Sequence, residues 1–263
     1  MDRIIKLYWS TSLQNGRKNF GDWLSPLLVE AISGCKVVHA RPNKCDLMAL
    51  GSILAKAKNH FWSRKIDIWG SGLIQDIGTF RSPHRIHALR GRKTAAAILN
   101  QKVAVLGDPG LLCSILLPDR VTREKQFLIG FIPHYVDQGH PVLNKLCSKY
   151  SFLTIIDVFE SVPNFMLKVA ACEIIVSSSL HGLITADAFN IPSIWMKLTD
   201  NVWGNDFKFH DYLSIYGQNE VNPFVPSENT TEKDILSLAE VVKRPGIDHI
   251  KAMLYDSFPY KRQ

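Results

Sequence analysis

The feature that most limits what this chain can fold into is a repeated one: short apolar runs, rich in branched residues, that stop at small or polar residues. "RIIKLYW", "KVVHA", "DLMALG", "IDIWG", "RIHALR" and "KVAVLG" occupy the first half, and "FLIGFIP", "FLTIID", "EIIVSS" and "PSIWMKL" the second. These runs show little polar alternation, so both faces of each strand need cover, which is the condition of a parallel sheet under helices. Helical stretches intervene at "DWLSPLLVEAISG" and "RKTAAAILNQ", then at "PVLNKLCSKY", "VPNFMLKVAA" and "HGLITADAF". The fold class is therefore α/β, and 263 residues suffice for two lobes of ordinary domain size. The charged segment "LPDRVTREKQ" sets the boundary. It gives an N-terminal Rossmann-like lobe over 1–120 and a C-terminal one over 121–263 that carries two closing helices, "TEKDILSLAEVVKR" and "IDHIKAMLYDSF".

Where the strands stop is informative. Gly51-Ser52, Gly70-Ser71-Gly72, Arg90-Gly91, Gly107-Asp108 and Ser177-Ser178-Ser179 all follow apolar runs, and open parallel sheets bind ligands outside the carboxyl ends of their strands. In "IIVSSSLHGLITADAF" a strand delivers the serines to the sheet edge, and a helix starting near His181 turns its free N–H groups outward as an anion site. Gly182 is expected to keep the backbone open to the ligand. Taken alone, the motif is read first as a serine cap and a packing glycine, and Lys208 with the other glycine-polar strand ends shifts it toward an anion site. Arg90, at the end of a strand, is expected to place its guanidinium in the crevice, where it suits two-point contact with carboxylate or phosphate. Asp22 is read as the N-cap of the first helix and, at the crevice edge, as a base for an acceptor hydroxyl. "NDFKFHDYL" brings Lys208, His210 and Asp211 together, with Lys208 able to close over an anion.

Other chemistries are excluded. "WGSGLIQDIG" has Gln75 where the third glycine of a dinucleotide fingerprint belongs, and there is no Walker A sequence, H-E-x-x-H or paired cysteine set. His84 and His87 in "HRIH" could share a metal only on a helix, and their surroundings read as strand, so no metal is expected. The five cysteines include no C-x-x-C and mostly lie in apolar runs, as reduced buried thiols do. The start "MDRIIKLYWS" lacks a signal-peptide core, and no long uncharged apolar run occurs. The expectation is a cytoplasmic protein. A net charge of +7 points to an anionic partner. Nucleic acid is not expected, because the aromatics lie inside apolar runs rather than alternating with basic residues.

"NFGD", "GSIL", "IWGSGL", "ALRGRKTAAAIL", "LGDPGLL", "SSSLHGLITADAFNIPSIW" and "KFHDYL" occur in the order in which the chain resembles polysaccharide pyruvyltransferases, in particular the short bacterial exopolysaccharide branch that includes the xanthan-modifying enzyme. The resemblance implies a GT-B-like pair of lobes with the active site in the cleft between them. It implies phosphoenolpyruvate as co-substrate, no cofactor, and a glycan acceptor that is lipid-linked, with peripheral contact at the inner membrane. Its site would comprise His181 as acid and Asp22 as base; Arg90, Lys208, Ser178, Ser179, Leu180 and Gly182 around the donor; and Asn19, Gly72 and Asp108 around the acceptor. Two positions depart from the family pattern, which has Arg-Leu-His where this chain has Ser179-Leu180-His181 and Arg-Asp where it has Arg90-Gly91. A nucleotide-sugar glycosyltransferase and a non-catalytic anion-binding protein remain as alternatives.

Overall fold

The first apolar run becomes β1 (Ile4–Tyr8), with Ile5 and Leu7 buried. The computed structural model describes residues 3–14, 16–57, 59–60, 62–118 and 124–261. After β1 come α1 (Phe20–Ser33), β2 (Lys36–His39), β3 (Leu47–Met48), β4 (Asp67–Trp69), β5 (Arg85–Ala88) and the short α2 (Arg92–Ala96). The strands form one parallel sheet in the order β2-β1-β3-β4-β5. The second half supplies β6 (Phe127–Ile132), α3 (Pro141–Lys149), β7 (Leu153–Ile155), α4 (Val162–Ala170), β8 (Cys172–Ser177), α5 (Leu180–Ala188) and β9 (Ser193–Trp195). Its sheet is also parallel, in the order β7-β6-β8-β9. Two Rossmann-like lobes result. Three helices close the chain: α6 (Phe207–Leu213), α7 (Glu232–Val241) and α8 (Ile247–Ser257).

Some local expectations change. The cap of α1 is Asn19, whose Oδ1 accepts from Gly21 N at 3.0 Å, so Asp22 sits inside the first turn rather than at the cap. "KVAVLG" makes only an isolated bridge, Leu89 to Leu106, and no strand. The helix at "RKTAAAILNQ" stops early because Ala97 O and Leu99 N pair with Phe80, a competing use of the same backbone groups. Residues 119–123 of the expected linker, and with them the 120/121 boundary, lie outside the described residues. The last helix does not stay with the second lobe. Trp69 Nε1 donates to Leu254 O at 3.0 Å and Tyr260 Oη to Asp67 at 2.6 Å, so α8 and the tail after it are bound to the first sheet.

A single apolar cluster runs through both lobes. Phe20 of α1 stacks on Phe165 of α4 with ring centroids 3.4 Å apart, both fully buried, and Phe20 N donates to Val158 O across the same seam. Such an aromatic pair contributes about 0.5–1.5 kcal/mol beyond its buried area. The start of α1 is thereby fixed against the second lobe, and the residues beside Phe20 inherit that placement.

Candidate functional site

In each sheet the chain reverses its direction of strand addition once, between β1 and β3 in the first and between β6 and β8 in the second. Loops at such a point splay apart and leave a crevice. Here the two crevices face each other. The cleft of about 360 Å³ between them is lined by Ser10, Ser12 and Gln14 after β1, and by Ser52, Ile53 and Lys56 after β3. His134 and Tyr135 after β6, and Ser179, Leu180 and His181 after β8, line the other side. Asn19 and Asp22 at the start of α1, and Lys208 at the start of α6, complete it.

The serines after β8 divide the work. Ser177 Oγ is spent locally, on Ile132 O and Ser179 O. Ser178 Oγ donates to Asp137 at 2.8 Å and accepts from His134 N at 2.8 Å, tying the β6 and β8 loops together. Ser179 is the N-cap of α5 but makes no side-chain cap bond. The first intrahelical partners are Gly182 N and Leu183 N, both on Ser179 O, so Leu180 N and His181 N are the free first-turn donors beside the cleft.

His181 is placed by glycine. A Cβ on Gly21 would lie 2.1 Å from His181 Nδ1, so only a bare backbone in "NFGD" lets the imidazole of the second lobe seat against α1 of the first. Its Nε2 is buried without a hydrogen-bond partner. Burial, then Lys208, then Arg90 hold the His181 pKa down at about 4. His134 is pushed down to about 3 by burial, Lys208 and His181. Lys208, 7% exposed, falls to about 8, chiefly through burial and then Arg90, opposed by Asp137, Asp206 and Asp22. Asp22 moves the other way, up to about 7, because burial outweighs the hydrogen bond from Ser10 and the charge of Lys208. An aspartate pushed up to about 7 in the same cleft as a lysine pushed down to about 8 can take up or release a proton near neutral pH.

Several expected site residues lie behind the cleft instead of in it. Arg90, expected in the crevice, is fully buried: Nε donates to Asp211 Oδ2 at 2.9 Å, Nη2 to Leu73 O and Nη1 to Ser52 Oγ. It reaches the cleft only through the Ser52 hydroxyl and its field. Gly72 is buried with its backbone against that guanidinium, where a Cβ would sit 2.4 Å from Arg90 Cζ. Asp108 is buried too, capping the 3-10 segment Pro109–Leu116 through Gly110 N at 2.9 Å, and burial raises its pKa to about 6. Gly182 packs against Ser177 Oγ and Ile132, not toward a ligand, so its role is close helix-on-strand packing. His84 and His87 flank and occupy strand β5, and His87 Nε2 bonds Asp67 at 2.8 Å. Among the described residues, no group of three His, Cys, Asp or Glu could hold a metal. None of their helices is long and apolar enough to cross a membrane.

Sequence reasoning passed over Ser10, Ser12, His134, Tyr135 and Asp137. The only signal available was their place one to five residues past a strand end, and it becomes selective only once strand order shows which ends flank a reversal.

Comparison with known proteins gives the family. A family model described as polysaccharide pyruvyl transferase matches residues 19–200. Uncharacterized protein L143 of Acanthamoeba polyphaga mimivirus is 26% identical over 252 residues, covering 93% of this chain and 85% of the viral one. Succinoglycan biosynthesis protein ExoV of Rhizobium meliloti (strain 1021) is 27% identical over 217 residues, covering 80% of this chain and 64% of ExoV. The matched region of the family model begins at Asn19 and includes the α1 start, the β8 serines and His181. The chain belongs to the polysaccharide pyruvyl transferase family.

Proposed function

From that membership, we propose that the protein transfers pyruvate from phosphoenolpyruvate to two hydroxyls of one sugar in an exopolysaccharide or capsular repeat unit, forming a ketal and releasing phosphate. The observation that carries this reading is the pairing, across one cleft, of Asp22 titrating at about 7 with the His181, Lys208 and α5 N-terminal group. Phosphate and carboxylate of the donor are met by Lys208 and by Leu180 N and His181 N, with Arg90 adding positive potential from behind. The acceptor is a lipid-linked glycan, which the protein meets as a peripheral visitor at the cytoplasmic face of the membrane.

Binding of the anion decides the proton roles. Negative charge in the cleft raises every nearby pKa. Asp22, already at about 7, becomes a neutral acid; His181, starting at about 4, rises only toward its ordinary value and serves as a phosphate ligand. This exchanges the roles expected from the motif alone. The Asp22 carboxyl protonates the methylene carbon, C2 becomes electrophilic, and the first sugar hydroxyl adds there while its proton returns to the Asp22 carboxylate. The C2–O bond to phosphate then breaks, the second hydroxyl closes the ketal, and its proton leaves with the phosphate.

The test is incubation with phosphoenolpyruvate and a panel of lipid-linked and synthetic glycosides, followed by mass spectrometry for the carboxyethylidene group and by phosphate release. Asp22→Asn is expected to lower turnover by roughly 10²–10⁴-fold with donor affinity retained. His181→Gln is expected to weaken donor affinity with turnover at saturation largely kept. No ketal with any acceptor, or the reverse pattern between the two variants, overturns the scheme.

A further inference from the structure

Asp137 ends the single 3-10 turn Tyr135–Asp137 after β6, is only 3% exposed, and has no part in the proton transfers proposed above. Both of its oxygens are taken by hydroxyls from other loops. Ser178 Oγ, just after β8, donates to Oδ2 at 2.8 Å, and Thr199 Oγ1, after β9, donates to Oδ1 at 2.6 Å. Each hydroxyl in turn accepts a backbone N–H, from His134 at 2.8 Å and from Asn201 at 3.2 Å, which leaves its own proton for Asp137. The arrangement is built for an anion.

A buried carboxylate is costly unless opposite charge meets it. Among the described residues no Lys, Arg or His lies within ion-pair distance of Asp137, and Lys208 likewise makes no ion pair. The other charges around Lys208 are committed elsewhere. Arg90 is paired with Asp211 and Asp206 with Lys197; Asp22 is pushed up to about 7, and His134 and His181 are pushed down to about 3 and about 4. Among the carboxylates that support Lys208 against burial and Arg90, Asp137 comes first. The two lie close together: a closed pocket of about 20 Å³ has Ser178 and Thr199, the partners of Asp137, on its walls with Asp206 and Phe209, which flank Lys208 at the start of α6. Asparagine has the same shape and could tie the same loops; what aspartate adds is charge. We propose that Asp137 is a positioning residue for the transfer, tying the loops after β6, β8 and β9 into one wall of the donor subsite and supplying the counter-charge that Lys208 needs while no donor is bound. The donor's phosphate then takes over as partner of a lysine already charged. The identity of the donor rests on the pyruvyl-transfer reading, while the coupling of Asp137 to Lys208 stands apart from it.

The experiment follows donor-free protein, labelled with ¹³C at lysine Cε, by NMR over a pH titration, and the Lys208 signal is the one missing from Lys208→Met. Its midpoint is expected at about 8 in the parent and about one unit lower in Asp137→Asn, the shift that loss of one nearby opposite charge produces. Thr199→Val, which takes one hydrogen bond from Asp137 and leaves its charge, is expected to leave the midpoint in place. Calorimetry with phosphoenolpyruvate reads the same change in binding. The ratio of affinity at about pH 6 to that at about pH 8 should be about fivefold larger in Asp137→Asn than in the parent, as a one-unit fall in the Lys208 midpoint requires. If Asp137→Asn does not fold, its combination with Thr199→Ala, which leaves room for a water beside the amide nitrogen, removes the same charge. A midpoint unmoved by loss of the charge, an equal fall in Thr199→Val, or an unchanged affinity ratio overturns the proposal. A lowered midpoint in a protein that binds no phosphoenolpyruvate would retain the coupling to Lys208 and remove the donor assigned above.

Discussion

Asp22→Asn should make the protein more stable at alkaline pH while removing the proton donor proposed above. Burial raises the Asp22 carboxyl from 3.8 to about 7, a difference worth about 4 kcal/mol between folded and unfolded chain. Below pH 3.8 the carboxyl is neutral in both states and nothing is lost by this route. Between pH 3.8 and about 7 the unfolded chain ionises first, the folded state holds more protons, and stability falls as the pH rises. Above that range the whole penalty stands. Asparagine keeps the shape and a hydrogen-bonding group for Ser10 but cannot ionise, so it escapes the penalty. Thermal unfolding of both proteins should give nearly equal Tm values near pH 4. Near pH 8 the variant should gain about 5–10 °C, from roughly 2–4 kcal/mol recovered. A variant no more stable than the parent near pH 8, or a gain that does not shrink toward pH 4, would refute the claim that the cleft holds this carboxyl against its ionisation.

Two other outcomes follow from the same cleft. Gly21→Ala puts a methyl where His181 Nδ1 lies 2.1 Å away; overpacking of this kind costs about 1–3 kcal/mol, and because the crowding is across the lobe seam, weakened phosphoenolpyruvate binding should accompany the lower Tm. Phosphoenolpyruvate affinity should decline as the pH rises through about 7 and 8, where free Asp22 ionises and free Lys208 loses its proton, and binding in that range should take up protons from buffer. Calorimetry in buffers of different ionisation enthalpy measures both, and Lys208→Met should remove the lysine's share of the uptake while leaving that of Asp22.

Much of the scaffold is legible in the sequence, for a physical reason. Strands covered on both faces leave continuous apolar runs, and their ends must be small or polar to form tight loops, so "EIIVSS" and "FLIGFIP" mark both a strand and the edge where a ligand can bind. The serine-histidine motif is legible on the same ground, since a strand running into a helix start is a local event. The facing of the two crevices is not local. Ser10 and His134 are 124 positions apart and carry no motif; they share a cleft only because β1 with β3 and β6 with β8 are the neighbours at which each sheet reverses. The marginal elements fail for a related reason. "KVAVLG" is as β-branched as its neighbours, yet it contributes only one bridge, while Val105 and Leu106 find cover in the apolar clusters without needing a full ladder.

The Arg90 site shows how a charge expected at the surface ends in the core. A guanidinium buried without a partner would be prohibitive, so a carboxylate must lie beside it. The carboxylate comes from Asp211 on α6, which accepts from Arg90 Nε, Thr94 N and Thr94 Oγ1. Glycine is required beside it: a Cβ at position 91 would lie 1.8 Å from Asp211 O. With the arginine at a strand end of one lobe and the acid on a helix of the other, the ion pair joins the lobes. The same helix carries Lys208 three residues earlier. The pair that keeps Arg90 out of the cleft therefore also fixes the helix that brings Lys208 into it, which accounts for a cleft-lining lysine only 7% exposed.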